Sequence, residues 1–289
     1  MKRVAIYSVL TVGVVFATGT AAVAESDLTN GHSAVTVGLE LNRISNTKYV
    51  LDASSANLIY GSKSATLESD KESAKFTGEE ALIRIGFRIS PVLEIHGILG
   101  NTKSKSSDFI DSKNGLLFGA GMSASPPSSA PWKSSLGIDV TRATVKDSGT
   151  SAGFNAYINT GATTDSVSGV GARSVELQVT KIDLSALAIY KVGVIDPYMG
   201  LMYSIVSGTL DTKMRGTANV LLPCLSGGGV CSPGYSTPFT IDESRDISLD
   251  SQMGLTLGFN AHVADAMNIG FGAIVGTRTQ YSAHVEFSF

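Results

Sequence analysis

The chain has 289 residues, with 22 Lys and Arg against 25 Asp and Glu, a formal charge of −3 and a pI near 5.8. Only 16% of residues are charged, where a soluble domain carries about 25%. The acidic balance without a basic cluster argues against nucleic-acid binding, recurring aliphatic residues argue against disorder, and no Gly triplet or heptad supports collagen or a coiled coil.

The first segment reads as an address. Met1, Lys2 and Arg3 form a positive start, Val4 to Thr18 is an uncharged apolar run, and Ala22-Val23-Ala24 precedes Glu25 as a small-x-small cleavage site. Residues 1–24 are therefore expected to be a cleaved secretory signal peptide, and 25–289 one exported domain. A membrane anchor fits less well, because the apolar core is short and a cleavage site follows directly. No later apolar run reaches about 18 residues, so no transmembrane helix is expected.

Beyond this point the sequence alternates. Apolar Val35, Val37, Leu39 and Leu41 interleave with Thr36, Gly38, Glu40 and Asn42. The same period of two runs through Ala81 to Ile89, Leu93 to Leu99 and Trp132 to Val140. It continues through Ile247 to Phe259, Ile269 to Val275 and Tyr281 to Phe289. Less regular strands fit Leu116 to Ser123, Val175 to Tyr190 and Pro197 to Thr209. In Val175 to Tyr190 the apolar phase shifts near Lys181, which implies either a bulge or a strand leaving a membrane. Period two with two unlike faces is the mark of a strand.

Connections of two lengths interleave. Ser90-Pro91, Ser123 to Pro131, Lys191 to Asp196 and Ala261 to Ala266 are short. Ser45 to Lys75, Thr102 to Asn114, Lys146 to Arg173 and Asp211 to Asp246 are long and polar, with a short helix expected around Ala65 to Ala74. Gly276 to Gln280 is the one short connection on the long side. About ten strands with this rhythm predict an all-β fold: a transmembrane up-and-down antiparallel barrel of 8–12 strands. Its short turns would be periplasmic and its long loops extracellular. A secreted sandwich would alternate similarly, but does not call for the short and long rhythm.

The last segment carries a resemblance. Tyr281, Val285, Phe287 and the terminal Phe289 alternate with polar residues, and this ending resembles the C-terminal assembly signal of bacterial outer-membrane β-barrel proteins. The resemblance implies the bacterial outer membrane as location, its lipid as surroundings, and the barrel assembly machinery as a partner during biogenesis. It identifies an architecture and no subfamily.

Candidate functional residues lie on the inward faces. Glu40, Arg84, Arg88, Glu94, His96, Asp139, Asp250, His284 and Glu286 are expected to line the lumen as a charge network. Pairing of the last strand with the first would join most of them into one wall. Cys224 and Cys231, flanking a Gly-rich stretch in an exported chain, are expected to form a disulfide.

Catalysis is not expected. Ten-strand proteases of the omptin type hold acidic residues and a His at the extracellular rim. Here His32 precedes the first strand, His262 lies in a periplasmic turn, and His96 and His284 fall inside strands. Ser282, His284 and Glu286 share one strand face, but residues two apart stand about 6.5–7 Å apart, long for a nucleophile–base bond. No metal-ligand spacing, phosphate loop or cofactor motif is present, so neither metal nor cofactor is expected. Two readings follow: a narrow porin-like channel for small solutes, resting on the polar inward faces, and a surface-exposed structural or adhesin-type barrel. The second has a plugged lumen, and its long loops bind an extracellular ligand.

Overall fold

The computed structural model describes residues 35–106, 109–128, 130–159, 164–221, 234–249, 252–276 and 278–289. The expected signal peptide, both cysteines and Asp250 lie outside them. The described chain is strands throughout, in one antiparallel sheet. In chain order they are β1 (Val35–Leu51), β2 (Ser54–Tyr60), β3 (Lys63–Ser69), β4 (Glu72–Arg88), β5 (Leu93–Ser106), β6 (Lys113–Ala124) and β7 (Trp132–Asn159). There follow β8 (Thr164–Tyr190), β9 (Ile195–Leu221), β10 (Tyr235–Leu249), β11 (Met253–Ala264), β12 (Met267–Gly276) and β13 (Thr279–Ser288).

Ten of these close a ring, β1-β4-β5-β6-β7-β8-β9-β11-β12-β13. Closure runs from Thr36 opposite Ser288 to Ser45 opposite Thr279, so the last strand zips onto the first. Each of the ten alternating segments of the sequence supplies one staves' worth of wall. Many outward positions are large, apolar and exposed, among them Leu99 at 62%, Leu116 at 67%, Leu136 at 57% and Met199 at 56%. A soluble protein would bury such a belt. About nine residues per strand, as in Ala81 to Ile89, rise roughly 23 Å at the usual strand rise and tilt, close to the apolar band of an outer-membrane barrel. Trp132 and Tyr190, ring centroids 4.6 Å apart, mark the end of the belt nearest the short turns.

Above the belt the chemistry inverts. Along β8, odd-numbered residues face inward throughout. Near the short turns they include Lys181, Asp183 and Ser185, with Leu184 and Ala186 outward. Farther up they become Val175, Leu177 and Val179, all buried, with Glu176 and Gln178 outward. The phase shift near Lys181 is thus a strand leaving the apolar belt, without a bulge in its pairing to β9.

Segments expected as loops continue as strands. β7, β8, β9 and β10 extend well past the belt, and β2–β3 prolongs the β1–β4 hairpin in the same register, from Leu51 opposite Glu72 to Ser54 opposite Ser69. The helix expected over Ala65 to Ala74 is instead β3 and the start of β4. Ala65 and Leu67 turn inward while Ser64, Thr66 and Glu68 turn outward, a period of two that a helix could not bury. Ile247 to Phe259 is also two strands. β10 and β11 meet β9 in registers that differ by one, which turns Ile247 and Leu249 into the core while Leu255 and Leu257 face out.

The two short hairpins end at the belt. Where β12–β13 turns, at Gly276 with φ 133°, the wall recloses above it by direct pairing of β1 with β10, Tyr49 opposite Leu249. Where β5–β6 turns, β3 and β7 each keep one edge that pairs with no strand among the described residues, and a cleft of about 630 Å³ lies between them.

Candidate functional site

The inward faces stack three layers inside the ring. In the first, β4, β5 and β7 bring Arg84, His96 and Asp139 together. His96 Nε2 lies 2.6 Å from Arg84 Nη1 and 2.6 Å from Asp139 Oδ1, and Arg84 Nη2 donates to Asp139 Oδ2 at 3.1 Å. Glu40 Oε2 stands 3.8 Å from the same guanidinium. Gly121 makes room for the cluster, since a Cβ there would come within 2.0 Å of Asp139 Oδ1 and 2.5 Å of His96 Nε2.

The expected residues separate around this core. His284 is opposite Glu40 on β1 and lies over Gly270. Glu286 is opposite Gly38 and Asn268, Glu94 reaches toward Gly86, and Arg88 is exposed at the mouth beside Glu94. Of the assembly-signal residues, Tyr281 is 56% exposed on the belt, Val285 and Phe287 are partly buried opposite β1 and β12, and the Phe289 amide donates to Val35 at 2.9 Å.

The second layer was not anticipated. Asp183 on β8 accepts from Ser204 Oγ at 2.6 Å, meets Lys181 Nζ at 3.1 Å, and accepts from Arg278 Nη2 at 3.1 Å. Lys181 and Asp183 sit two apart on one strand, which places them on one face; that spacing was the available signal. Arg278 sits beside the β12–β13 turn, where no periodicity reveals its direction. At the mouth, His262 Nε2 pairs with Asp196 Oδ2 at 2.9 Å, so this His also faces a carboxylate.

The third layer is apolar. Leu51, Phe76, Ile110, Leu177, Val206, Leu210 and Leu249 form one buried cluster across the barrel, and Leu82, Ile98 and Leu117 form a smaller one beside it. Ile110, from the β5–β6 connection, is 1% exposed and caps the stack. Between the charged and apolar layers is a cavity of about 70 Å³, lined among others by Thr47, Glu80, Thr102, Lys181 and Arg278. It has room for a few waters and no more.

Outside the belt, β7, β8, β9, β10, β2 and β3 wrap a second apolar core of Leu58, Tyr60, Val167, Met214, Val220 and Phe239. Its base is stapled by Arg245, 5% exposed, which donates to the Asp52 carbonyl at 3.3 Å and the Asp70 carbonyl at 2.6 Å and pairs with Glu72. Arg245 thereby bridges the short breaks between β1 and β2 and between β3 and β4. Its top is tied by Asp165, fully buried, which pairs with Lys63 Nζ at 2.7 Å and accepts from the Tyr60 hydroxyl at 3.4 Å. The hydrogen bond to Asp165 holds the Lys63 ammonium above its ordinary range. Burial, and then the Asp165 charge, push the Tyr60 phenol up as well.

No protein-family model matches the chain, and no curated protein is similar to it in sequence. Solved structures similar to it include the translocator domain of the autotransporter NalP from Neisseria meningitidis, 11% identical, covering 96% of this chain and 97% of that one, TM-score 0.37. The outer-membrane protease OmpT from Escherichia coli is 6% identical, covering 89% and 97%, TM-score 0.42. The β-domain of the Bordetella autotransporter BrkA is 12% identical, covering 85% and 100%, TM-score 0.34. All three scores lie below 0.5, and no activity passes from those proteins to this chain.

Proposed function

We propose that the chain is an integral barrel of the bacterial outer membrane, exported by its first 24 residues, with a sealed lumen. Its working surface is then the β-extension beyond the lipid. The observation that carries this reading is the apolar third layer. A narrow solute channel would need an aqueous path past Ile110, Leu177, Val206 and Leu249, which pack against one another across the interior. The charged layers below favour the same reading, because Arg84 and His96 gather on Asp139, and Lys181 and Arg278 on Asp183. Such groups inside a small barrel hold its walls together.

The extension then presents a rigid, mostly Ser, Thr and Asn outer face to a partner, as surface-exposed adhesin-type barrels require. Binding, not catalysis, is its role in this reading.

The test is electrical. The mature protein, inserted in planar bilayers, is expected to give no discrete current steps over a range of salt. Reproducible steps from the unaltered protein would overturn the sealed-lumen reading in favour of a porin-like channel. Replacing Ile110 and Leu249 together by Gly is expected to create steps where there were none.

A further inference from the structure

The outward charges just above the belt are distributed unevenly around the barrel. On the wall formed by β1, β4 and β5, the last apolar row holds Leu41 and Ala81 beside Asn101, and the next row outward holds Arg43, Glu79 and Lys103. Arg43 and Lys103 flank Glu79 in one row across the three strands. Lys105 stands one row higher, opposite Thr77, and Lys48 stands opposite Lys75 in the next. All five side chains belong to exposed residues on the outer face. Glu79 is the only carboxylate among the described outward positions of these rows. Arg43, Lys75, Lys103 and Lys105 form no ion pair with a described residue.

The opposite wall is balanced. There Lys146 pairs with Glu176 at 3.0 Å, and Lys213 stands opposite Asp242.

Arg43, Lys75, Lys103 and Lys105 thus gather exposed positive charge on one wall with Glu79 among them, and an anion beside them would be attracted. The position decides what it is: the row of Arg43 and Lys103 stands directly above the last apolar row, at the depth of lipid headgroups. Basic clusters at that depth attract anionic lipid. Resting on the outer-membrane reading above, we propose that the β1–β4–β5 wall is a binding site for a phosphate-bearing membrane lipid. Its chains lie along Leu41, Ile83 and Leu99, and its headgroup phosphates sit among Arg43, Lys75, Lys103 and Lys105. Arginine offers a phosphate two parallel hydrogen bonds, and the lysines add point charges around it.

The test uses the mature protein in nonionic detergent, titrated with a diphosphoryl glycolipid and with its unphosphorylated counterpart, bound lipid being counted by native mass spectrometry. The phosphorylated lipid is expected to be retained at least tenfold more strongly. The variant R43Q/K75Q/K103Q/K105Q is expected to lose that preference, at about fivefold per charge removed, while K146Q/K213Q on the opposite wall keeps it. Equal retention by the first variant and the unaltered protein, both folded by circular dichroism, would overturn the site. So would displacement by millimolar inorganic phosphate, which would mark a site for free phosphate. Insertion into lipid vesicles is scored separately by protease protection of the barrel, so a failure of the membrane reading is seen as such.

Discussion

Strand β8 runs without a break through two halves that obey opposite rules. Inward residues are Lys181, Asp183 and Ser185 in the lower half, and Val175, Leu177 and Val179 in the upper. The backbone geometry is the same in both. On the outer-membrane reading proposed above, what changes is the medium outside the wall. Lipid accepts apolar side chains, so the lower half keeps polar groups inside and must pair them. Water does not, so the upper half buries its aliphatics as any soluble sheet would. One barrel therefore holds two kinds of interior, one cemented by ion pairs and one by apolar packing.

The largest expected effect breaks the lower interior. Asp183→Ala strips Lys181 and Arg278 of their shared carboxylate, and is expected to cost about 3–5 kcal/mol. The midpoint of urea unfolding from lipid vesicles measures it. In the upper interior the comparable test is Leu58→Ala, which empties a fully buried site. It is expected to cost about 2–5 kcal/mol, read as faster proteolysis of the extension while the barrel stays protected.

A third substitution sharpens the contrast in solvents. Leu201→Arg on the lipid face is expected to cost about 2–4 kcal/mol. Thr209→Arg, on the same face of β9 but above the belt, is expected to change stability by less than about 0.5 kcal/mol. Equal costs at the two sites would remove the boundary between the halves.

The smallest effect is one of pH. Lys63 and Tyr60 are both held above their ordinary values of 10.5 and 10.0 in the fold. A raised value contributes stability that is complete below the ordinary value and lost as pH climbs through the raised one. The extension is therefore expected to loosen above about pH 10, and Lys63→Gln to remove part of that dependence. Amide exchange at the tips of β2–β3 and β7–β8 reports both.

The same division explains what was legible in the sequence. All ten wall strands were visible, because an apolar outward face and a polar inward one impose alternation along each. Glu40, Arg84, His96 and Asp139 followed directly from it. The extension was hidden, because its outer face of Ser, Thr, Gly and Asn reads as loop, and its large inward residues, such as Leu58, Val167 and Phe239, are interrupted by small ones such as Ala65, Ala156 and Ala218, which thins the alternation. Its strands exist by packing on one another, which local alternation does not encode. Arg278 was hidden for a different reason: beside a turn, direction is set by neighbours and not by period. The one-residue offset between β10 and β11 likewise leaves the spacing of Ile247 and Leu255 unchanged while reversing their faces.

That β8 and β9 run unbroken from the short turns to the outer tip has a mechanical consequence. Whatever seizes the tip pulls on no flexible linker. The load passes lengthwise into the wall, where long ladders to β7 and β11 resist it in shear, many hydrogen bonds at once, instead of one at a time as in peeling. The extension is the barrel's own staves drawn outward, and on the outer-membrane reading the whole cylinder is its anchor.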